Sequence, residues 1–354
     1  MYVIRKRNAH RALPYGLRHL NEVGQPEGSR DGDVIVAPGP VATVYDCPVE
    51  RVVFWPERDA NPFFHLFESL WMLAGRNDLA LPQCFVKSFD RFSDDGVTLH
   101  GAYGHRWRNW PGDQLDRIVD LMSGHSRTRR AVLTMWDPDR DLFPEQGKDV
   151  PCNTTIYFSE SYGRANERNR LDMMVCCRSN DIVMGLYGAN AVHFSMLMEY
   201  MAARLDLEVG TMTTISNNFH SYARDYNRIR TGALALWGPI WDDCPYAREE
   251  VKPFPLVDDP SSWDQELLFM LSAAEAKSED RIRTGAIWKN SFFPRVVLPM
   301  YLAHEAWRAG DWLRAGYYTR EIAASDWQLA VAQWLLRRAA KAGMTSIPEL
   351  VGIW

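Results

Sequence analysis

Apolar residues change their spacing several times along the chain, and each change predicts an element. In "NPFFHLFESLWMLAGRND", Phe64, Phe67, Leu70, Trp71 and Leu73 fall near helical spacing, with Asn61-Pro62 suited to a start and Gly75 to a stop. "QLDRIVDLMSGHSRTRR" reads as a second amphipathic helix running into a basic loop. "AVLTMW" and "TTIYFSES" are β-branched and aromatic, as strands are. In "RLDMMVCCRSND" the period becomes two: Leu171, Met173, Val175 and Cys177 share one face, Asp172, Met174, Cys176 and Arg178 the other. The segment "YGRANERNR" between these two strands suits a hairpin connection. "GANAVHFSMLMEYMAARLDLEVG" is apolar nearly all round, which predicts a helix through the core, and "TMTTISNNFHSY" follows as a strand. From about residue 262 the pattern is helical and rich in Trp and Ala, whereas residues 1–35 are polar, rich in Gly, Pro and Arg, and read as loop. Helix, strands, buried helix, strand and then helices is an α+β order.

Composition narrows the class without naming a function. A chain of 354 residues with 46% hydrophobic and 24% charged residues has the make-up of a globular protein with a large core. The net charge of -5 gives no reason to expect a nucleic-acid partner. Six cysteines without a repeated CxxC predict reduced thiols and no disulfide framework. No run approaches a membrane span and the start lacks a signal-type apolar stretch, so a cytoplasmic location is expected.

Candidate chemistry centres on "DVPCNTT". Cys152 alone reads first as a small buried hydrophobe. Metal ligation has no nearby second Cys or His to support it, so no metal is expected. Use as a nucleophile needs positive charge near the thiol, which Arg129, Arg130 and Arg178 could supply. The Arg129-Arg130 pair at a strand mouth suits a phosphate, or is a solvated basic turn. Arg178 followed by Ser179, Asn180 and Asp181 reads as a polar binding rim. His220 and Tyr222 share a strand face and could both meet one hydroxylated ligand, although a satisfied core histidine is the plainer reading. Glu68, inside an apolar run, reads from pattern alone as a side chain turned to solvent.

The order of these pieces resembles the thymidylate synthase superfamily. Pro151-Cys152, "RSNDIVMG", a buried helix and "HSY" follow in its sequence; upstream, "ESLWMLAG", "GAYGHRWRNW" and "SRTRRAVLTMW" resemble its glutamate helix, its tyrosine-tryptophan stretch and its double arginine. The resemblance covers about residues 60–230. It implies a mixed twisted sheet packed by helices; a catalytic domain over 1–260 is expected around it, and the helical pattern that follows, without the family's usual ending, is expected as a C-terminal region over 261–354 packed on the same domain. It further implies that Cys152 attacks C6 of a pyrimidine nucleoside monophosphate, and that C5 then takes a one-carbon unit from 5,10-methylene-tetrahydrofolate. In that scheme Arg178 holds the phosphate and lowers the thiol pKa, assisted by Ser179. Arg129 and Arg130 reach a partner's phosphate site in an obligate homodimer. Glu68 handles protons at the base, Tyr103 lies near the cysteine, Asp181 meets the pterin, and His220 and Tyr222 bind the sugar hydroxyl.

Three departures bear on the outcome. No tryptophan occurs near Phe92-Ser93, where the family shields its intermediate from water, so water has room to enter and give a hydroxymethyl group. Asn153 replaces the usual histidine after the cysteine. The family asparagine that reads uracil falls on Ala189 unless a one-residue insertion in "LYGAN" restores it as Asn190; Lys148 is another candidate base reader, or a solvated loop lysine. These departures point to a cytidylate 5-hydroxymethylase acting on CMP or dCMP. Thymidylate synthase and dUMP hydroxymethylase are the alternatives, and a non-catalytic nucleotide-binding relative is a further one.

Overall fold

The computed structural model describes residues 1–125, 127–142, 147–163, 168–230, 243–279, 282, 288–344, 346–350 and 352. Its centre is an 8-stranded mixed sheet. The strands are β1 (Tyr2–Lys6), β2 (Gln25–Glu27), β3 (Val34–Val36), β4 (Val41–Tyr45), β5 (Val132–Thr134), β6 (Asn153–Ser161), β7 (Arg170–Asp181) and β8 (Glu208–Tyr222). The main path runs β1-β4-β8-β7-β6-β5, with β3 pairing to both β2 and β8. β1 and β4 are parallel, as are β7 and β8; the remaining pairs are antiparallel.

The expected alternation in β7 holds, because Leu171, Met173, Val175 and Cys177 are all buried. Parallel β7 and β8 are joined by an Ile182–Ala189 π-helical segment and the buried helix α3 (Asn190–Arg204). Because the two strands run the same way, their C-terminal ends lie side by side, with Ser179 opposite Asn218 and Asp181 opposite His220. β6 is antiparallel to β7, so its first residues return to that same end. This is what gathers the site.

Residues 1–35 differ from the loop expected. They form β1, α1 (Ala9–Val23), β2 and β3. Ala9, Ala12, Leu13, Leu17 and Leu20 make a buried stripe at helical spacing, capped by Asn8, whose side chain accepts from the Arg11 amide at 3.0 Å. The intervening Arg, His, Pro14 and Gly16 hide that stripe in the sequence.

The predicted helix around Glu68 is α2 (Pro62–Leu73), and eleven of its residues are buried, from Pro62 and Phe63 through His65–Leu73. Of the C-terminal helices α4 (Trp263–Glu275), α5 (Leu298–Arg308), α6 (Trp312–Arg320) and α7 (Ser325–Lys341), which share one hydrophobic core with the sheet, α5 and α7 pack on α2. Phe63 lies edge-on to Trp334 with ring centroids 5.3 Å apart. Asp59 accepts from Arg337 Nε at 2.8 Å and Arg338 Nη1 at 2.9 Å, fastening α7 near the start of α2. Among the described residues no helix is long and apolar enough to cross a membrane, and no cluster of His, Cys, Asp and Glu could hold a metal ion. All six cysteines are free thiols.

Candidate active site

Cys152 precedes β6, and its carbonyl accepts from the Arg178 amide at 2.9 Å. It lines two cavities at once: one of about 710 Å³ toward the ends of β7 and β8, one of about 390 Å³ toward α2 and α3. Burial pushes its thiol pKa up; Arg178 pulls it down, Asp149 and Asp181 push it up, and Arg30 pulls it down. The expected lowering by Arg178 is therefore present but outweighed by burial.

The larger cavity is polar and already hydrogen-bonded. Arg178 donates from Nε to Pro151 O and from Nη2 to Val150 O, each at 3.0 Å, which braces the peptide leading into Cys152. Its guanidinium lies 5.6 Å from the Trp136 ring centre. Arg30 donates to Lys148 O at 3.0 Å, and Lys148 Nζ donates to Ser93 O at 2.9 Å. Ser179, Asn218, His220 and Tyr222 complete the wall. His220 Nδ1 pairs with Asn218 Oδ1 at 2.8 Å, and its ring meets Tyr222 edge-on at 5.7 Å. Burial lowers the His220 pKa, opposed by the Asp181 charge.

The smaller cavity has aromatic walls, Phe64, Phe89, Phe92, Trp71 and Tyr103, and carries Glu68, His193, Ala189 and Asn190. Glu68 is 8% exposed, which corrects the solvent-facing reading: with α3 on one side and the C-terminal helices on others, α2 has no free face. Tyr103 stacks on Phe194 at 5.9 Å, and its hydroxyl accepts from the Asn153 amide at 3.4 Å. Burial drives the Tyr103 pKa well above its usual value.

The π segment sets the wall beside it. Asp181 Oδ1 accepts from the Val183 amide at 2.7 Å and the Met184 amide at 3.3 Å, starting the turn. Arg58 donates to Val183 O and, at 3.3 Å, to Met184 O. It passes so close that a Cβ on Gly188 would sit 2.6 Å from Arg58 Nη2, which is why glycine stands there. A π turn holds one residue more than an α turn, and Ala189, its last residue, and Asn190, the next, both reach the cavity. Asn190 Nδ2 donates to Asn180 Oδ1 at 3.3 Å, and Asn180 Nδ2 to Ser216 Oγ at 3.1 Å.

Some expected residues lie elsewhere. Asn153 is fully buried and its amide donates to Cys176 O at 2.8 Å; successive strand residues face opposite ways, so it turns into the sheet. Asp181 lines neither cavity and serves the π segment instead. Arg129 and Arg130 are exposed, line neither cavity, and among the described residues have no side-chain partner.

Sequence reasoning passed over Arg30, Trp136, His193 and Asp149. Asp149 lines both cavities and accepts from the Gly101 amide at 3.0 Å. A Cβ on Gly101 would meet Asp149 O at 2.6 Å, so glycine lets the two loops touch. Burial pushes the Asp149 pKa up to about 6. A carboxylate three residues before the cysteine was the available signal.

A family model described as Thymidylate synthase matches residues 50–233. Deoxyuridylate hydroxymethyltransferase of Pseudomonas phage M6 is 44% identical over 350 residues, covering 96% of this chain and 95% of that protein. The protein of the same name from Bacillus phage SP01 is 36% identical over 215 residues, 56% of this chain and 55% of its own. That of Delftia phage PhiW-14 is 27% identical over 221 residues, 60% of this chain and 59% of its own.

Proposed function

The chain belongs to the thymidylate synthase family and is a one-carbon transferase, and we propose that it hydroxymethylates C5 of dUMP. The observation that carries this reading is Cys152 at the meeting point of a polar, hydrogen-bonded cavity that contains Arg30, Lys148 and Arg178 and an aromatic one. The near full-length relative named for deoxyuridylate favours dUMP over the CMP or dCMP expected from the sequence. Asn190 supports the same choice: with Nδ2 held by Asn180, its Oδ1 is left to accept from a donor such as uracil N3–H. The wider π turn supports Asn190, rather than Ala189, as the base reader.

Arg178, Arg30 and Lys148 hold the phosphate, with Ser179 beside them, and His220 and Tyr222 take the sugar hydroxyl. Asp149 and Arg178 set the charge felt by Cys152. Once the thiol is deprotonated, its sulfur bonds to C6 and makes C5 nucleophilic. Methylene-tetrahydrofolate, when bound, supplies a one-carbon unit at the oxidation level of formaldehyde. The aromatic walls and volume of the smaller cavity fit its flat rings. Glu68 manages protons at the base, and Tyr103 braces the peptide after the cysteine. Phe92, at the rim of both cavities, stands where a larger indole would exclude water, leaving water to capture the C5 methylene group. Arg129 and Arg130, exposed and unpartnered, would serve the phosphate of a second copy in a homodimer.

Mass analysis of nucleotide products tests this. With methylene-tetrahydrofolate and each of dUMP, UMP, dCMP and CMP, only dUMP should gain a CH2O unit. A CH2 gain would make the protein a thymidylate synthase, gain on a cytosine nucleotide would restore the cytidylate expectation, and no product at all would favour a binding protein.

A further inference from the structure

The smaller cavity holds two polar side chains that the fold leaves unmatched. His193 is 3% exposed, yet neither Nδ1 nor Nε2 has a hydrogen-bond partner. Glu68 Oε2 is equally unpartnered, although it stands only 2.9 Å from His193 Nε2: the atoms are close but not aligned for a hydrogen bond. Buried polar groups are almost always satisfied, and leaving them bare costs about 1–3 kcal/mol each. His193 and Cys152 line the same space, and His193 follows Asn190 by three residues on α3, so both point to the same side of the helix. The position after Cys152 cannot provide a side chain here, because Asn153 is turned into the sheet. His65, the other imidazole on this wall, is held well below its ordinary pKa by burial, Arg58 and His193, and is a poor proton acceptor.

We propose that His193 takes the proton from the water that captures the C5 methylene group, with Glu68 holding its imidazole. The inference rests on the hydroxymethylase reading. In the step, Glu68 engages His193 Nε2 and the water oxygen bonds to the methylene carbon while its proton passes to His193 Nδ1, the ring nitrogen that does not face Glu68. The electron pair of the exocyclic double bond moves into the ring as the C4 enolate. That pair then restores C5=C6 and expels the Cys152 sulfur as thiolate. His193 returns its proton to the thiolate or to the departing tetrahydrofolate. Nothing is oxidised or reduced.

His193→Asn and His193→Gln test the role, the second in case the first does not fold. Binding of dUMP alone, by calorimetry, should stay within about twofold of wild type. With dUMP tritiated at C5 and methylene-tetrahydrofolate, the variants should still release one tritium per site. Hydroxymethyl product should fall about 10²- to 10³-fold. Added 2-mercaptoethanol should restore turnover as a thioether at the methylene carbon, which a folding defect would not allow. Wild-type rates of hydroxymethyl formation in both variants would overturn the proposal. So would loss of dUMP binding, which would make His193 a base reader, or thioether diversion in Asp149→Asn alone. A wild-type enzyme that makes methylated nucleotide would remove the hydroxymethylase reading, and this step with it.

Discussion

The two cavities that meet at Cys152 are built on opposite plans. Toward β7 and β8 the polar groups are tied down: Arg178 to two carbonyls, Arg30 to Lys148, Lys148 to Ser93, His220 to Asn218. Toward α2 and α3, Arg58, Asp59 and Asn190 are tied as well, but Glu68 and His193 are left loose, adjacent but unpaired. A fixed array of donors suits a ligand of fixed charge, because little reorganisation remains to be done on binding. Loose buried groups suit protons and water, which move during a reaction. The contrast separates holding from chemistry and leaves the nucleophile on the boundary.

The largest effect should come at that boundary. Cys152→Ser should reduce product formation by on the order of 10³-fold or more while dUMP binding by calorimetry stays largely intact; surviving turnover would break the covalent mechanism. Next is the tied cavity. Arg178→Gln removes a charge and two braces, and should raise the KM for nucleotide about 10- to 100-fold. It should also slow alkylation of Cys152 at neutral pH, since Arg178 is a pull on its pKa. A change in product rather than in KM would erase the distinction between the cavities.

The smallest effect concerns Asp149, which belongs to both. Its carboxyl titrates at about 6 against an ordinary 3.8. A pKa raised by folding lends stability below about pH 4, and that support is lost as pH rises through 6. Asp149→Asn cannot ionise, so its stability relative to wild type should improve by on the order of 1–2 kcal/mol between pH 4 and pH 8, read from urea melts. Removing the charge should also speed Cys152 alkylation at pH 8. Parallel pH curves for the two proteins would show that the carboxyl is not held as described.

How much of this was legible depended on whether position followed from local pattern. The alternation of β7 put Arg178 on the face opposite the buried residues, and parallel pairing to β8 brings His220 and Tyr222 to the wall of the same cavity. Glu68 was misjudged because α2 is enclosed by α3 on the Glu68 side and elsewhere by helices more than two hundred residues away, none of which its own pattern shows. His193 was silent, since one histidine in an apolar helix has the same pattern whether its ring is satisfied or bare. Asn153 misled for a simpler reason: being next to the cysteine in sequence puts it on the opposite face of a strand. α1 was missed because its buried stripe is diluted by basic residues and interrupted by Pro14.

The clasp on Asp59 has a consequence for how the protein is made. Asp59 lines the aromatic cavity, and its carboxylate, held at about 2 by Arg338 and Arg337 against the effect of burial, is fastened to α7. During synthesis the ribosome must therefore finish residues 337 and 338 before that rim can be secured. Until then the apolar side of α2 that Trp334 will cover stays open to water and to other chains. The nascent protein thus passes through a stage in which its β7 and β8 motifs are complete but its cavity wall is not, and that stage is where a chaperone would have most to grip.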